Sequence, residues 1–353
     1  MSIKMKKLLK KLISFESVSL EIPVNEKALL FCQSFLKEKG IKSKIFWHGK
    51  HPSLEWGAIC SEVRFMFNTH IDVVPALKES FATKEDGNKI WGRGSADTKA
   101  MVAMFLSLDA EIVKKAAKKG TRFVIVSDEE IGGNTTKLLL PKMPNLEFAL
   151  FGEPTQLQLN NEAKGIMQVK ISAKGKSTHG SNPWLGQNAI LKLIADLNQF
   201  LSANPPPNNY TWETTFNFSQ ISGGVAINQV PSECTLFCDV RYRPGVSTSQ
   251  IIDKFNQHFS GSIVEIAKSE SAIFTHQKNE FLQKLAIAVK NAGIKPLFSK
   301  ALGSSDARHC TAMNIPTVVF GPIGDGLHED HEWVDVESLL KVRKIINQFI
   351  KEL

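Results

Sequence analysis

The sequence has no apolar run of the ~20 residues that a membrane-spanning helix needs. Its basic, leucine-bearing start carries no unbroken apolar stretch and no small-residue cleavage site, so it does not read as a signal peptide. These gaps argue against membrane association and secretion, and a cytoplasmic protein is expected. Leu8, Leu9, Leu12 and Ile13 instead recur at helical spacing between lysines, as on a surface helix of the first domain. Cysteine is sparse. Cys32, Cys60, Cys234, Cys238 and Cys310 are odd in number, scattered and without a CxxC pair, which speaks against a disulfide framework or a thiolate zinc site. Cys234 and Cys238 share one face of a predicted strand, as core residues do. There is no GxSxG elbow, so a metal-free α/β hydrolase is disfavoured. Internal repeats and low-complexity tracts are also missing.

The chain has 353 residues, too many for one small core, which points to two domains. With 42% hydrophobic and 22% charged residues it has an ordinary globular composition. The net charge of +8 is spread over helices and loops. Its densest cluster, Lys114 to Lys119, closes a predicted helix, where positive charge suits the dipole. That pattern does not make a nucleic-acid surface, though it is compatible with anionic substrates.

Four apolar runs read as strands covered on both faces: Val63–Phe67, Phe123–Val126, Phe148–Phe151 and Thr317–Phe320. Helical patterns separate them, among them Ala100–Lys118 with Met101, Met104, Phe105 and Leu108 on one side. An α/β domain with a largely parallel sheet follows. The middle differs. Residues 166–173 alternate, with Met167, Val169, Ile171 and Ala173 on one face. A helix at 188–203, strands at 213–221 and 233–241, a helix at 248–259 and a strand at 262–267 complete a β-α-β-β-α-β order, the ferredoxin-like pattern. The expected organisation is a first domain of residues 1–163 and 273–353, with a second, 164–272, inserted into it.

Carboxylates and histidines gather after the predicted parallel strands, where α/β sheets present their ligand sites. His70 and Asp72, two apart on an extended segment, point the same way, so the carboxylate can orient the imidazole. Asp97 follows the glycines of Gly92-Arg93-Gly94 and lies at the mouth of a helix, where alone it would read as an N-cap. Glu129 and Glu130 stand side by side after Phe123–Val126, so one can bind metal while the other moves a proton. Glu153 follows Phe148–Phe151, and His328-Glu329-Asp330-His331-Glu332 follows the last strand. Each is ordinary singly. Together they offer nitrogen and oxygen ligands without thiolates, which fits a catalytic zinc pair better than a structural zinc.

The series THIDVVP, GRGSADTK, DEEIGG, FGEPT and GLHEDHEWV resembles the M20 metallopeptidase family in order and spacing over nearly the whole chain. That family includes succinyl-diaminopimelate desuccinylase, acetylornithine deacetylase, aminoacylases, carboxypeptidases and dipeptidases. The resemblance implies two zinc ions, with cobalt or manganese as possible substitutes. His70 and Glu153 would hold one and Glu130 and His328 the other, with Asp97 bridging. Glu129 would be the general base and Asp72 the support of His70. The family pattern sets the histidine ligand four residues before a glutamate, an aromatic and a valine, which selects His328 over His331. It also implies a cis peptide at Asp97–Thr98. The stretch from Gly175 to Ile190 resembles the family's dimerisation domain. This implies a homodimer in which His179 reaches the partner's active site and stabilises an oxyanion. By the same resemblance Asn228 and Arg241 approach the substrate. Gly303-Ser304-Ser305-Asp306-Ala307-Arg308 opens a predicted helix suited to a carboxylate and looks most like the GTSDGR stretch of the desuccinylases, with Arg308 equally readable as a structural ion-pair residue. The hinge departs from the desuccinylase GRRGS and reads Ala163-Lys164-Gly165-Ile166, closer to the deacetylases and aminoacylases, with Lys164 toward the substrate. The loop Ala76–Lys89 is short and lacks the customary tryptophan and the Asp-Pro before Phe81. The substrate expected is a small N-acyl amino acid or a short peptide, with its acyl group left open.

Overall fold

The computed structural model describes residues 2–59 and 62–353; Cys60 lies outside the described residues. The chain divides into two units. One comprises Met1–Glu162, Phe274–Ala301 and Ser305–Leu353, the other Ala163–Ile273 and Leu302–Ser304.

The first unit is built on a mixed nine-stranded sheet. At its centre Phe65–His70 pairs in parallel with Thr121–Val126 on one side and Phe148–Phe151 on the other. Thr317–Val319 continues the parallel run beyond Phe148–Phe151. Phe65–His70 and Phe148–Phe151 are buried at every position, which explains their continuous apolar runs: helices cover both faces. The first run begins and ends later than its sequence suggests. Val63 and Arg64 precede the ladder, and Thr69 and His70 close the strand instead of following it. Phe67 lies at the heart of the core, with its ring against Phe105, Phe123 and Phe349.

The helix expected over Ala100–Lys118 is two, Ala100–Ser107 and Ala110–Lys118. Leu108 and Asp109 between them are extended, with ψ of 140° and 141°. The cause is tertiary: Arg343 donates to the Ser107 carbonyl at 3.1 Å and to the Asp109 carboxylate at 3.0 Å. Ala100–Ser107 also lacks a single apolar side. Every residue from Ala100 to Leu106 is fully buried, as in a helix enclosed all round. The N-terminal helix Ser2–Ile13 is amphipathic and sends Leu8, Leu9, Leu12 and Ile13 into the core.

The second unit is a four-stranded antiparallel sheet in the order Thr215–Gly223, Glu233–Tyr242, Gly165–Lys174, Ser262–Glu270. In its own chain order this is 2-3-1-4, with helices Ala189–Ala203 and Thr248–His258 completing the β-α-β-β-α-β sequence. Met167, Val169, Ile171 and Ala173 alternate onto the buried face and meet Leu193, Phe200 and Phe255. Cys234 and Cys238 lie in the same core. Asn188 caps the first helix by accepting from the Ile190 and Leu191 amides, and Ser247 with Gln250 forms a capping box at the second. Among the described residues no helix is long and apolar enough to cross a membrane.

Phe67→Ala would empty the centre of the aromatic cluster and cost about 3–5 kcal/mol. Urea unfolding of the metal-free protein measures this. A loss below about 1 kcal/mol would contradict close packing there.

Candidate metal centre

Five side chains from five segments meet beyond the C-terminal ends of the parallel strands. His70 ends Phe65–His70, Glu153 lies two residues past Phe148–Phe151, and Glu130 sits in the short turn Glu129–Ile131 after Thr121–Val126. Asp97 lies in the turn Ser95–Lys99, whose Asp97–Thr98 peptide is cis. His328 comes from the loop before Trp333–Asp335 and has a positive φ of 64°.

Asp97 presents one oxygen to each histidine. His70 Nε2 is 3.0 Å from Oδ1, and His328 Nε2 is 3.4 Å from Oδ2. Glu153 Oε1 stands 3.7 Å from His70 Nε2, and Glu130 Oε2 stands 3.0 Å from His328 Nε2. Two groups result, His70–Asp97–Glu153 and Asp97–Glu130–His328, each with its ligand atoms within 4.8 Å of one another. Imidazole nitrogens and carboxylate oxygens, three to a group with one carboxylate shared, fit a pair of hydrolytic divalent ions. His331 belongs to neither group; it is exposed and pairs with Glu329 at 2.9 Å.

The electrostatics record a surplus of negative charge. Burial works against a charged His70, yet Glu153 beside it and the Asp72 and Asp97 carboxylates hold its pKa well above the ordinary value. Asp97 and Glu130 push His328 up to about 10. Burial opposes ionisation of Asp97, but hydrogen bonds from His328 and His70 keep it below the usual carboxylate range. Glu153 is pushed up to about 7, by burial first. In the metal-free protein the raised histidines favour their protonated forms, which offset part of that negative charge.

Glu129, next to Glu130, belongs to neither ligand group. Its Oε1 is 3.7 Å from Arg308 Nη1. Burial, with the Asp306 and Glu153 charges added, raises its pKa well above the carboxylate range, against the pull of His70 and Arg308. Asp72, expected to support His70, does so mainly through its backbone carbonyl, 2.9 Å from Nδ1; its carboxylate Oδ1 is at 3.4 Å. That carboxylate instead accepts from Ser19 Oγ (2.7 Å) and from the backbone amides of Glu129 and Glu130 (both 3.2 Å). It holds the acidic turn.

Sequence reasoning passed over several supports. Thr98 Oγ1 donates to the His70 carbonyl at 3.0 Å and lies 2.7 Å from Thr69 Oγ1, which in turn reaches the Gly152 carbonyl at 3.2 Å. These threonines tie the segments of Asp97, His70 and Glu153 together, and both lay inside quoted motifs. Asp306 is buried, bonded to Thr136 Oγ1 and 3.6 Å from Arg308 Nη2.

The remaining expected substrate residues fall as follows. Lys164, placed toward the substrate by the hinge pattern, is instead buried, and its ammonium donates to the Thr211 (3.0 Å) and Glu213 (2.6 Å) carbonyls. A buried ammonium needs such acceptors. Arg241 pairs with Asp239 at 2.7 Å. Asn228 is exposed, and its carbonyl accepts from the Gly180 amide at 2.7 Å. Gly303 and Ser304 count with the second unit, and the helix after them is only Ala307–Ala312. His179 is exposed, and its Nδ1 accepts from the Ser181 amide at 3.2 Å, so in the neutral ring the proton sits on Nε2 and points outward.

The sequence profile of peptidase family M20/M25/M40 matches residues 66–352. Succinyl-diaminopimelate desuccinylase of Rickettsia bellii is 27% identical, over 98% of this chain and 95% of its own length. Acetylornithine deacetylase of Buchnera aphidicola is 27% identical, over 81% and 80%. In three dimensions the fold is similar to that of aminopeptidase PepT from Bacillus cereus, with a TM-score of 0.80 at 19% identity over 100% and 98% of the two chains.

The protonated histidines set a pH dependence. A ligand imidazole must be neutral, so the raised values of His70 and His328 mean that metal displaces their protons at neutral pH. Zinc added to the metal-free protein at pH 7 is expected to release at least two protons per chain, those of the two histidines and part of one from Glu153, with affinity rising as pH rises. Titration calorimetry in buffers of different ionisation enthalpy counts the protons; zinc binding with none released would remove these histidines from the ligand set.

Proposed function

This chain belongs to peptidase family M20/M25/M40, a family of metallohydrolases, and on that premise we propose that it is a two-zinc amidohydrolase that cleaves the amide bond of an N-acyl amino acid. The observation that carries the reading is the pair of ligand groups sharing Asp97, with Glu129 beside them and outside both. N-Succinyl-diaminopimelate and N-acetylornithine are the substrate types favoured by the named relatives.

His70, Asp97 and Glu153 would hold one ion, and Asp97, Glu130 and His328 the other. When bound, such a pair supplies Lewis acidity and brings the pKa of a water toward neutrality. Glu129 then accepts the proton of the attacking water, whose oxygen bonds to the amide carbonyl carbon. Its buried position makes it a stronger base than a solvated glutamate. The same carboxyl returns the proton to the leaving nitrogen as the C–N bond breaks, giving a carboxylic acid and an amino acid. Arg308, 3.7 Å from Glu129, would meet the carboxylate that every N-acyl amino acid carries. His179 of a second copy would donate its Nε2 hydrogen to the oxyanion.

A homodimer formed through the second unit is part of this reading. Large apolar side chains of that unit face outward: Trp184 is 75% exposed, Val225 93% and Ile227 107%. Exposed apolar side chains of this size are what such an association surface would cover.

Glu129→Ala is expected to keep both zincs and lose about 10²–10⁴-fold in kcat, by turnover and metal analysis on one sample. Full activity in the variant would take the base role from Glu129. A substrate panel of N-succinyl-diaminopimelate, N-acetylornithine, other acyl amino acids and dipeptides, with and without chelator, names the class. Turnover of dipeptides alone would replace deacylation with peptidase activity. Sedimentation is expected to give a dimer, and a fully active monomer would remove the role of His179 across copies.

A further inference from the structure

We propose that Glu332 is the positioning residue of the metal centre: one buried carboxylate that fixes the bridging Asp97 and the loop carrying His328 in a common frame. Glu332 is 1% exposed and lies four residues after His328. Its Oε1 accepts from the backbone amides of Ala96 at 2.8 Å and Asp97 at 3.0 Å. Its Oε2 accepts from the Gly94 amide at 2.8 Å and the Arg93 guanidinium at 3.0 Å. The Glu332 carbonyl accepts from the Gly92 amide at 2.9 Å. Five of the six residues 92–97 are thus bound to a single residue of a loop more than 200 positions away in the chain.

The turn needs such a partner. The backbone amides of Gly94, Ala96 and Asp97 stand at the start of the turn Ser95–Lys99, where no preceding helical turn supplies carbonyls for them. Glu332 collects all three at normal hydrogen-bond lengths and balances them with a guanidinium. Glu332 contacts the Asp97 backbone, so its action on the ions passes through the bridging residue. Because Asp97 faces His70 with one oxygen and His328 with the other, a shift of its backbone disturbs both groups together. Loss of a ligand used by one group only, such as Glu153, would not.

Glutamine cannot replace it. Each carboxylate oxygen receives two hydrogens, so either orientation of the amide turns an NH₂ toward two donors. Aspartate keeps the charge but is one methylene short of reaching both pairs.

This inference rests on the metal-centre reading above. The test compares wild type with Glu332→Gln, Glu332→Asp and the loop control Glu329→Gln, whose side chain is exposed and pairs with His331. Zinc affinity is measured by competition with a chromogenic chelator, and melting of the metal-free proteins reports folding. Glu332→Gln is expected to bind both zincs about 10–100-fold more weakly, with kcat lowered and KM nearly unchanged at saturating zinc. Glu332→Asp is expected to fall between, and Glu329→Gln to match wild type. Wild-type affinity in Glu332→Gln, or loss of one zinc only, would overturn the role; should that variant not fold, Glu332→Asp decides by the same criteria. If wild type itself takes up no zinc, the metal-centre reading fails as well.

Discussion

Crowding of negative charge is the constraint on which the site depends. Asp97, Glu129, Glu130 and Glu153 converge on one edge of the sheet with two imidazoles between them. Two like charges 4 Å apart repel by about 4 kcal/mol at an effective dielectric of about 20, and burial adds the desolvation of each. Side chains free to rotate would swing apart into water or take up protons. The raised values of Glu129 and Glu153 and the protonated histidines are that tendency at work. The arrangement persists because each carboxylate is held from behind, and it is fully neutralised only by added cations.

The holding is done by the backbone. Parallel strands fix where each segment leaves the sheet, and buried acceptors then fix how it turns. Asp72 takes the Glu129 and Glu130 amides, Asp128 takes the Thr135 amide at 2.9 Å, and Glu332 takes the turn before Asp97. Asp306 presses so closely on the acidic loop that a Cβ on Gly133 would lie 1.6 Å from its Oδ1. With φ at +62° as well, only glycine suits that position. The second glycine of DEEIGG therefore makes room for another carboxylate.

What could be read from the sequence follows from how local each cause is. Continuous apolar runs mark strands covered on both faces, and alternation marks the one-sided sheet of the second unit, because burial repeats with the period of the backbone. The ligand residues stood out because strand ends place them within short motifs. Long-range causes stayed hidden. The break after Ser107 comes from Arg343, and the strand beginning at Phe65 is set by its neighbours' ladder. Lys164 is drawn inward by carbonyls of Thr211 and Glu213. Glu332, visible in HEDHEWV, gave no sign that it reaches back to residues 93–97. In each case the partner lies tens to hundreds of positions away.

The adjacency of Glu129 and Glu130 shows how such supports divide labour between like residues. Both amides bind one carboxylate, Asp72, so the two backbones share a single anchor. From there the side chains separate. Glu130 turns to His328 at 3.0 Å, and Glu129 turns toward Arg308 at 3.7 Å. The first is committed to a ligand group. The second is kept beside a fixed cation in a buried place where its proton affinity is high. A cation that stabilises Glu129 as a carboxylate and a neighbouring Asp306 that opposes it act in opposite directions on the same proton. Burial and Asp306 outweigh the cation and leave Glu129 with a high proton affinity, the property that the proposed base would need in order to take a proton from water.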